Sequence, residues 1–399
     1  MSKRGWLSTL ACLCMGLVSW GQQACALEAT VSAQYRGQAS GHFENTTPLA
    51  SFCQRWPAEC TSTKALQIPI SYTKTTVTAD PDVRNRFYVQ LPAARQVDVF
   101  HAETGDHHSL RFEMTAVSQN VVGGTHYRNN PAYTQSIGGG CNYRRTYGVP
   151  TQPPPVWYLW ALNAPQAPTG CYSDPEVGDA GQVIVSEVKD MGVAYKLDMP
   201  APSRMKPGIY TGSVAYSIGP GGDFDFGNGV SDLNGAIFNL NFRLDVQHTF
   251  VFDFPAGSER AVLEPPGGWR AWQGGRAAPE RLDHDLPFRL WSTGPFKVYK
   301  LCRYYDGSGC GMRNDAGHQV PVTVALSLPG GIQHGGGPVQ KVLLPNGRGN
   351  ALAFESVAPV FNQSSQLHFE VGEPHVKAMF NYPGSRYEGE VTVVFDAQL

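Results

Sequence analysis

Charge is scarce and unclustered in this chain of 399 residues: Asp, Glu, Lys and Arg make up 16%, the formal net charge is -2, and no basic run occurs. Such a composition gives no electrostatic footprint for nucleic acid or for an anionic membrane surface. Beyond the N-terminus there is no apolar run at helical period and none long enough to span a bilayer. Catalytic signatures are also missing: there is no Gly-x-Ser-x-Gly elbow, no His-Glu-x-x-His, no phosphate-binding loop and no dinucleotide fingerprint. The chain is therefore not read as an enzyme, and no cofactor is implied. The absence of any Cys-x-x-Cys pair makes zinc ligation by its cysteines a poor fit.

What is present is turn chemistry. With Gly 44 and Pro 30, the chain reads as many short strands joined by turns, an all-β protein. Its length suits two domains of roughly 150 to 220 residues each. Lys3 and Arg4, an apolar stretch from Trp6 to about Val18, and the small residues Ala24-Cys25-Ala26 read as a signal peptide over residues 1–26, cleaved before Leu27. Export to an oxidising compartment follows. Cys12, Cys14 and Cys25 leave with the signal, and the six remaining cysteines are expected in disulfides. Several connectivities are open; proximity favours Cys53 with Cys60, Cys141 with Cys171, and Cys302 with Cys310.

The C-terminal stretch organises the rest. Val391, Val393, Phe395, Ala397 and Leu399 alternate with mostly polar partners, the period of a half-buried strand. A relative of this stretch, Pro207-Gly208-Ile209-Tyr210-Thr211-Gly212, occurs earlier, so the chain reads as two copies of one β domain, residues 27–247 and 248–399. After the first copy comes another alternating strand with Phe238, Leu240, Phe242, Leu244 and Val246 on one face; after the second the sequence stops. The C-terminal domain is thus expected to lack a strand and to be completed in trans by strand addition. Leu27 to Ala33 leads into the first domain without an obvious alternating extension to donate, which suits a tip position, although residues 30–35 read equally as a first strand or a short donor.

Residues 118–181 form a long, aromatic-rich and turn-rich insertion, the kind of segment on which β scaffolds carry binding surfaces. Candidate receptor residues are Tyr143, Arg144, Arg145, Trp157, Tyr158 and Trp160, with Arg84 and Arg86: aromatics to stack on sugar faces, arginines to meet carboxylates. The competing reading puts Trp157 and Trp160 in a core and leaves Arg144 and Arg145 solvated. His101, Glu103, Asp106, His107 and His108 cluster, yet without a helix to fix their spacing they read as a hairpin tip rather than a metal site. Asp223 to Gly229 hints at a calcium loop, but Gly227 and Asn234 occupy ligand positions, and a polar hairpin tip fits better. Asp283 and Asp285 share one side of a strand with nothing beside them to keep one protonated.

An early Cys pair (Cys53, Cys60) before a strand at 66–72, a second pair mid-domain (Cys141, Cys171), Ala194 to Ala201 leading to Pro207-Gly208-Ile209-Tyr210, and Cys302 followed by Tyr305-Asp306-Gly307 occur in an order that resembles the minor, initiating tip subunits of class 5 (alpha-type) chaperone-usher fimbriae, the CfaE-like and CblD-like proteins. The resemblance implies two immunoglobulin-like β-sandwich domains in tandem, an N-terminal adhesin-like domain and a C-terminal pilin domain. It also implies export to the periplasm and then to the fimbrium tip at the cell surface. The implied partners are a periplasmic pilus chaperone, an outer-membrane usher, a major pilin that donates the strand, and a host surface receptor, with glycans among the candidates. Carried onto this sequence, contact with the chaperone or donor strand falls to Val391, Val393, Phe395 and Leu399. The alternative within the family is a structural pilus initiator that binds no receptor. Two departures stand out: no later cysteine is available to Cys302 except Cys310, and Gly219-Pro220-Gly221-Gly222 stands where sialoglycan-binding members carry an arginine.

Overall fold

The computed structural model describes residues 26–173, 178–272, 278–305 and 309–397. Residues 1–25 of the proposed signal segment, Asp306-Gly307 and Leu399 lie outside the described residues. The chain folds as two β-sandwich domains in tandem. All three expected disulfides are formed, Cys53–Cys60, Cys141–Cys171 and Cys302–Cys310.

The first domain is built on a sheet that bends over itself. Its centre is His107–Gly123, a seventeen-residue strand that pairs along one edge with Val183–Asp198 and along the other first with Arg95–His101, then with Pro155–Leu162. Both strands are longer than the sequence pattern suggests, because bulges at Lys189/Gly192 and Ala194/Tyr195 let one strand continue through a change of direction. Gly192 is required at this bend, since a Cβ there would lie 2.8 Å from the Phe52 ring. The bend brings Val117, Val121, Val188 and Val193 into one core with Val31, Phe242 and Leu244 from the far end of the strand order.

Alternation fixes the closure of this domain. Phe238, Leu240, Phe242, Leu244 and Val246 are fully buried along Ile237–Val246, which lies between two partners. Gly208–Ser217 runs antiparallel to it over ten residues, and Leu27–Tyr35 runs parallel to it from Leu27↔Phe238 to Tyr35↔Val246. Residues 30–35 are therefore a first strand of this domain.

A short connection leads into the second domain and is tied down on both sides. Gln247 donates its backbone N–H to the Tyr35 carbonyl, His248 Nε2 meets the Met205 carbonyl at 2.7 Å, and the Thr249 backbone N–H donates to Thr293 Oγ1. The second domain stacks two sheets. One runs Phe250–Asp253, Leu282–Ser292, Val360–Val371, Gln319–Ser327, Cys310–Arg313; the other runs Gly337–Pro338, Ile332–His334, Leu352–Ser356, Phe296–Cys302, Val391–Asp396. Phe288, Leu290, Val298, Val324, Leu326 and Phe354 fill the space between them.

Candidate functional site: an open seam in the second domain

The internal repeat makes the difference between the domains measurable. In the first, Gly208–Ser217 has a neighbour on each side, Arg95–His101 and Ile237–Val246. In the second, the corresponding strand Val391–Asp396 pairs only with Phe296–Cys302 and ends its sheet among the described residues. Phe250–Asp253 ends the facing sheet, so two edge strands lie opposite each other along one seam. Packing registers the gap. The first core has 40 buried apolar residues and 10 partly buried ones against it, whereas the second has 18 and 14 among the described residues.

Eight of those fourteen partly buried side chains line the seam. A groove of about 620 Å³ runs between the sheets, floored by Leu286, Val322, Leu367 and Phe369 and walled by Phe252, Phe254 and Leu263 on one side and Val391, Val393 and Phe395 on the other. Phe252 keeps 44% of its surface exposed, an unusual position for a large apolar ring in a domain core. At one end the seam is stitched by rings: Phe395 lies 5.2 Å from Phe252 and 5.8 Å from Phe288, and Phe254 stacks on Phe288 at 4.9 Å. Met312 and Leu263 also line it. Apolar walls flanked by an unpaired strand edge can take an extended chain, with backbone hydrogen bonds along the edge and alternate side chains in the groove. Val391, Val393 and Phe395, singled out from the sequence, line it; Phe252, Phe254, Leu286 and Phe369 were not singled out as site residues, although the alternation of Phe250, Phe252 and Phe254 marked a strand.

The first-domain candidates separate into two groups. Tyr158 and Trp160 are fully buried, which corrects their assignment to a receptor surface. On Pro155–Leu162 they share the inward face with Val156, meet Phe87 edge-on at 5.5 and 5.9 Å, and the Tyr158 hydroxyl donates to Gln119 Oε1 at 2.6 Å. Burial, with Tyr72 nearby, pushes the Tyr158 phenol far above its ordinary range. Arg84 is also structural in its contacts: it grips Asp225 through both carboxylate oxygens at 2.9 and 3.0 Å, and Asp225 is almost wholly buried. Arg86 donates to the Asp80 carbonyl. Phe224 and Phe226, in the stretch with a hint of a calcium loop, are core plugs, and residues 101–107 join two antiparallel strands as a hairpin tip.

The other group stays at the surface. Trp157 faces outward opposite Tyr147, with the Arg55 guanidinium stacked 3.8 Å over Trp157 and 4.7 Å over Tyr147. Arg145 pairs with Glu59 at 2.7 Å, while Arg144 stands exposed at a bulge in the edge strand Cys141–Gly148 and Tyr143 is half-buried. Arg55 was not among the sequence candidates, since the fold brings the Cys53–Cys60 loop onto this face from 102 residues upstream of Trp157.

The site and fold define a class, a two-sandwich β protein whose second sandwich carries an open seam. No family profile and no curated protein matches the chain. Among solved structures it is similar, at 9% identity in each case, to three tip-subunit structures. The first is a chaperone–tip adhesin complex of CFA/I fimbriae biogenesis, with a TM-score of 0.25 and coverage of 93% of this chain and 96% of that one. The second is a mutant of the CFA/I enterotoxigenic E. coli adhesin CfaE, with 0.27, 93% and 92%. The third is the CsuC–CsuE chaperone–tip adhesion subunit pre-assembly complex of the archaic chaperone-usher Csu pili of Acinetobacter baumannii, with 0.22, 93% and 98%.

Proposed function

We propose that the chain is a tip-type subunit of a chaperone-usher fimbria, exported through its N-terminal signal and completed by a strand from another polypeptide. The observation that carries this is the open seam: the strand position filled in the first domain by Ile237–Val246 has no occupant beside Val391–Asp396 among the described residues. A periplasmic chaperone holds the seam first, the usher receives the complex, and a major pilin supplies the final strand. Residues 27–247 act as the adhesin-like domain and 248–399 as the pilin domain.

The surface around Arg55, Tyr147 and the part-exposed Trp157, with Arg144 exposed on the same edge strand as Tyr147, is the part of the first domain suited to a surface receptor, since it presents aromatic area beside cationic groups. The test of the assembly mechanism is a synthetic peptide with alternating apolar residues, added to the purified mature chain. It raises the unfolding temperature of the second domain, and Val393→Asp removes the effect. No shift with any such peptide in a folded protein would sink strand addition. For the receptor, a folded variant lacking the side chains of Arg55, Arg144, Tyr147 and Trp157 loses cell binding; unchanged binding moves the site elsewhere, and a wild-type first domain that binds no cells favours the purely structural initiator.

A further inference from the structure

On the sheet face opposite the seam, three neighbouring strands bring together side chains that are far apart in sequence. Asp285 of Leu282–Ser292 stands across from His368 of Val360–Val371, and Asp285 Oδ1 meets His368 Nδ1 at 2.6 Å. His368 Nε2 in turn meets the hydroxyl of Ser327, at the end of Gln319–Ser327, at 2.8 Å. The order carboxylate, imidazole, hydroxyl, with one ring nitrogen to each neighbour, is the geometry by which a serine is made nucleophilic: the carboxylate fixes the tautomer and the far nitrogen is left to accept the hydroxyl proton.

Two further features bear on Ser327. The backbone N–H of Lys341 donates to Ser327 Oγ at 2.9 Å, which leaves the hydroxyl's own proton for the imidazole. Lys341 holds that N–H in place from a left-handed conformation, φ 49°, which a non-glycine residue rarely adopts and which is concentrated at sites of function. His368 is buried, shielded from competing water, while Ser327 is part-exposed and open to a reagent from solvent.

We propose that Ser327 is a reactive acyl acceptor, activated by His368 and positioned through Asp285, that takes an acyl or phosphonyl group from an activated ester. Oγ forms the bond to the carbonyl carbon or phosphorus, its proton passes to His368 Nε2, and the leaving group departs as the alcohol by taking that proton back. No oxidant, reductant or cofactor enters. The product is the O-acyl serine, and stoichiometric labelling is the readout.

The test treats the full mature chain with a biotinylated fluorophosphonate, in which fluoride leaves and the imidazolium releases its proton to solvent, and maps the label by peptide mass. The expected site is Ser327. Ser327→Ala abolishes that label, and His368→Ala slows it by about a hundredfold or more, the usual contribution of a positioned general base. Added imidazole restores labelling to His368→Gly, a rescue that a purely structural histidine would not give. A folded wild-type chain without label at Ser327 overturns the proposal, as does a labelling rate that His368→Ala leaves unchanged in a variant that still unfolds cooperatively.

Discussion

Raising the pH from 8 toward 10 should stabilise the first domain, because of one buried amine. Lys74 has no solvent exposure, and its Nζ donates to the carbonyls of Phe226 at 2.8 Å, Arg84 at 3.1 Å and Asn228. It ties three separate segments together where Phe224 and Phe226 plug the core. Burial first, and then the nearby Arg84 charge, bring its pKa from the usual 10.5 down to about 8. The unfolded chain titrates near the usual value. Between the two, the unfolded state holds a proton that the folded state has shed, so unfolding free energy rises with pH; below about 8 both states are charged and the cost of the buried ammonium is constant. At about 1.4 kcal/mol per pH unit the gap is worth about 3 kcal/mol. Buried phenols set the upper limit. Tyr72, Tyr158 and Tyr216 resist ionisation in the folded state, so stability turns down again once unfolded tyrosines ionise above about pH 10. The assay is urea unfolding of the mature chain, followed by fluorescence of buried Trp160, at half-unit steps from pH 7 to 10.5. A rise absent from the wild type, or present unchanged in Lys74→Met, would refute the reasoning.

Three other outcomes are open to measurement. Arg84→Ala leaves the nearly buried Asp225 carboxylate with only its backbone N–H donors from Gly221 and Gly227 and should cost about 1 to 3 kcal/mol, read as a lower urea midpoint. Burial lowers the pKa of His248 against opposing hydrogen bonds at Met205 and Thr293, so the unfolded chain takes up a proton first as pH falls below about 6.5 and stability at the junction is lost there; His248→Gln should flatten that acid limb in a thermal scan. Deleting residues 391–399 removes one wall of the seam and should abolish recovery of the protein with a periplasmic chaperone, whereas normal recovery would contradict strand addition.

The alternation of Val391, Val393 and Phe395, the repeat at Pro207-Gly208, and the spacing of the cysteines were legible in the sequence because each depends on near neighbours in the chain. The inward direction of Tyr158 and Trp160 was written in the same alternation, since Val156, Tyr158 and Trp160 share a face; the aromatic enrichment of the insertion drew attention away from it. Long-range meetings had no such signal. Arg55 over Trp157, Arg84 on Asp225, and Ser327 beside His368 join residues through strand order alone, which a single sequence does not display. The continuous strands His107–Gly123 and Val183–Asp198 were also hidden, because bulges break the two-residue period on which strand boundaries are read.

The parallel pairing of Leu27–Tyr35 with Ile237–Val246 sets a timetable for the chain. Apart from the short local pairing of Ala33 and Gln34 with Glu44–Asn45, the earliest strand of the first domain must wait while more than two hundred further residues emerge, since its full-length partner is the last strand of that domain. Contacts of such sequence separation are slow to form. Protection of the amides of Leu27–Tyr35 and Ile237–Val246 against hydrogen exchange should therefore appear together, and late, during refolding.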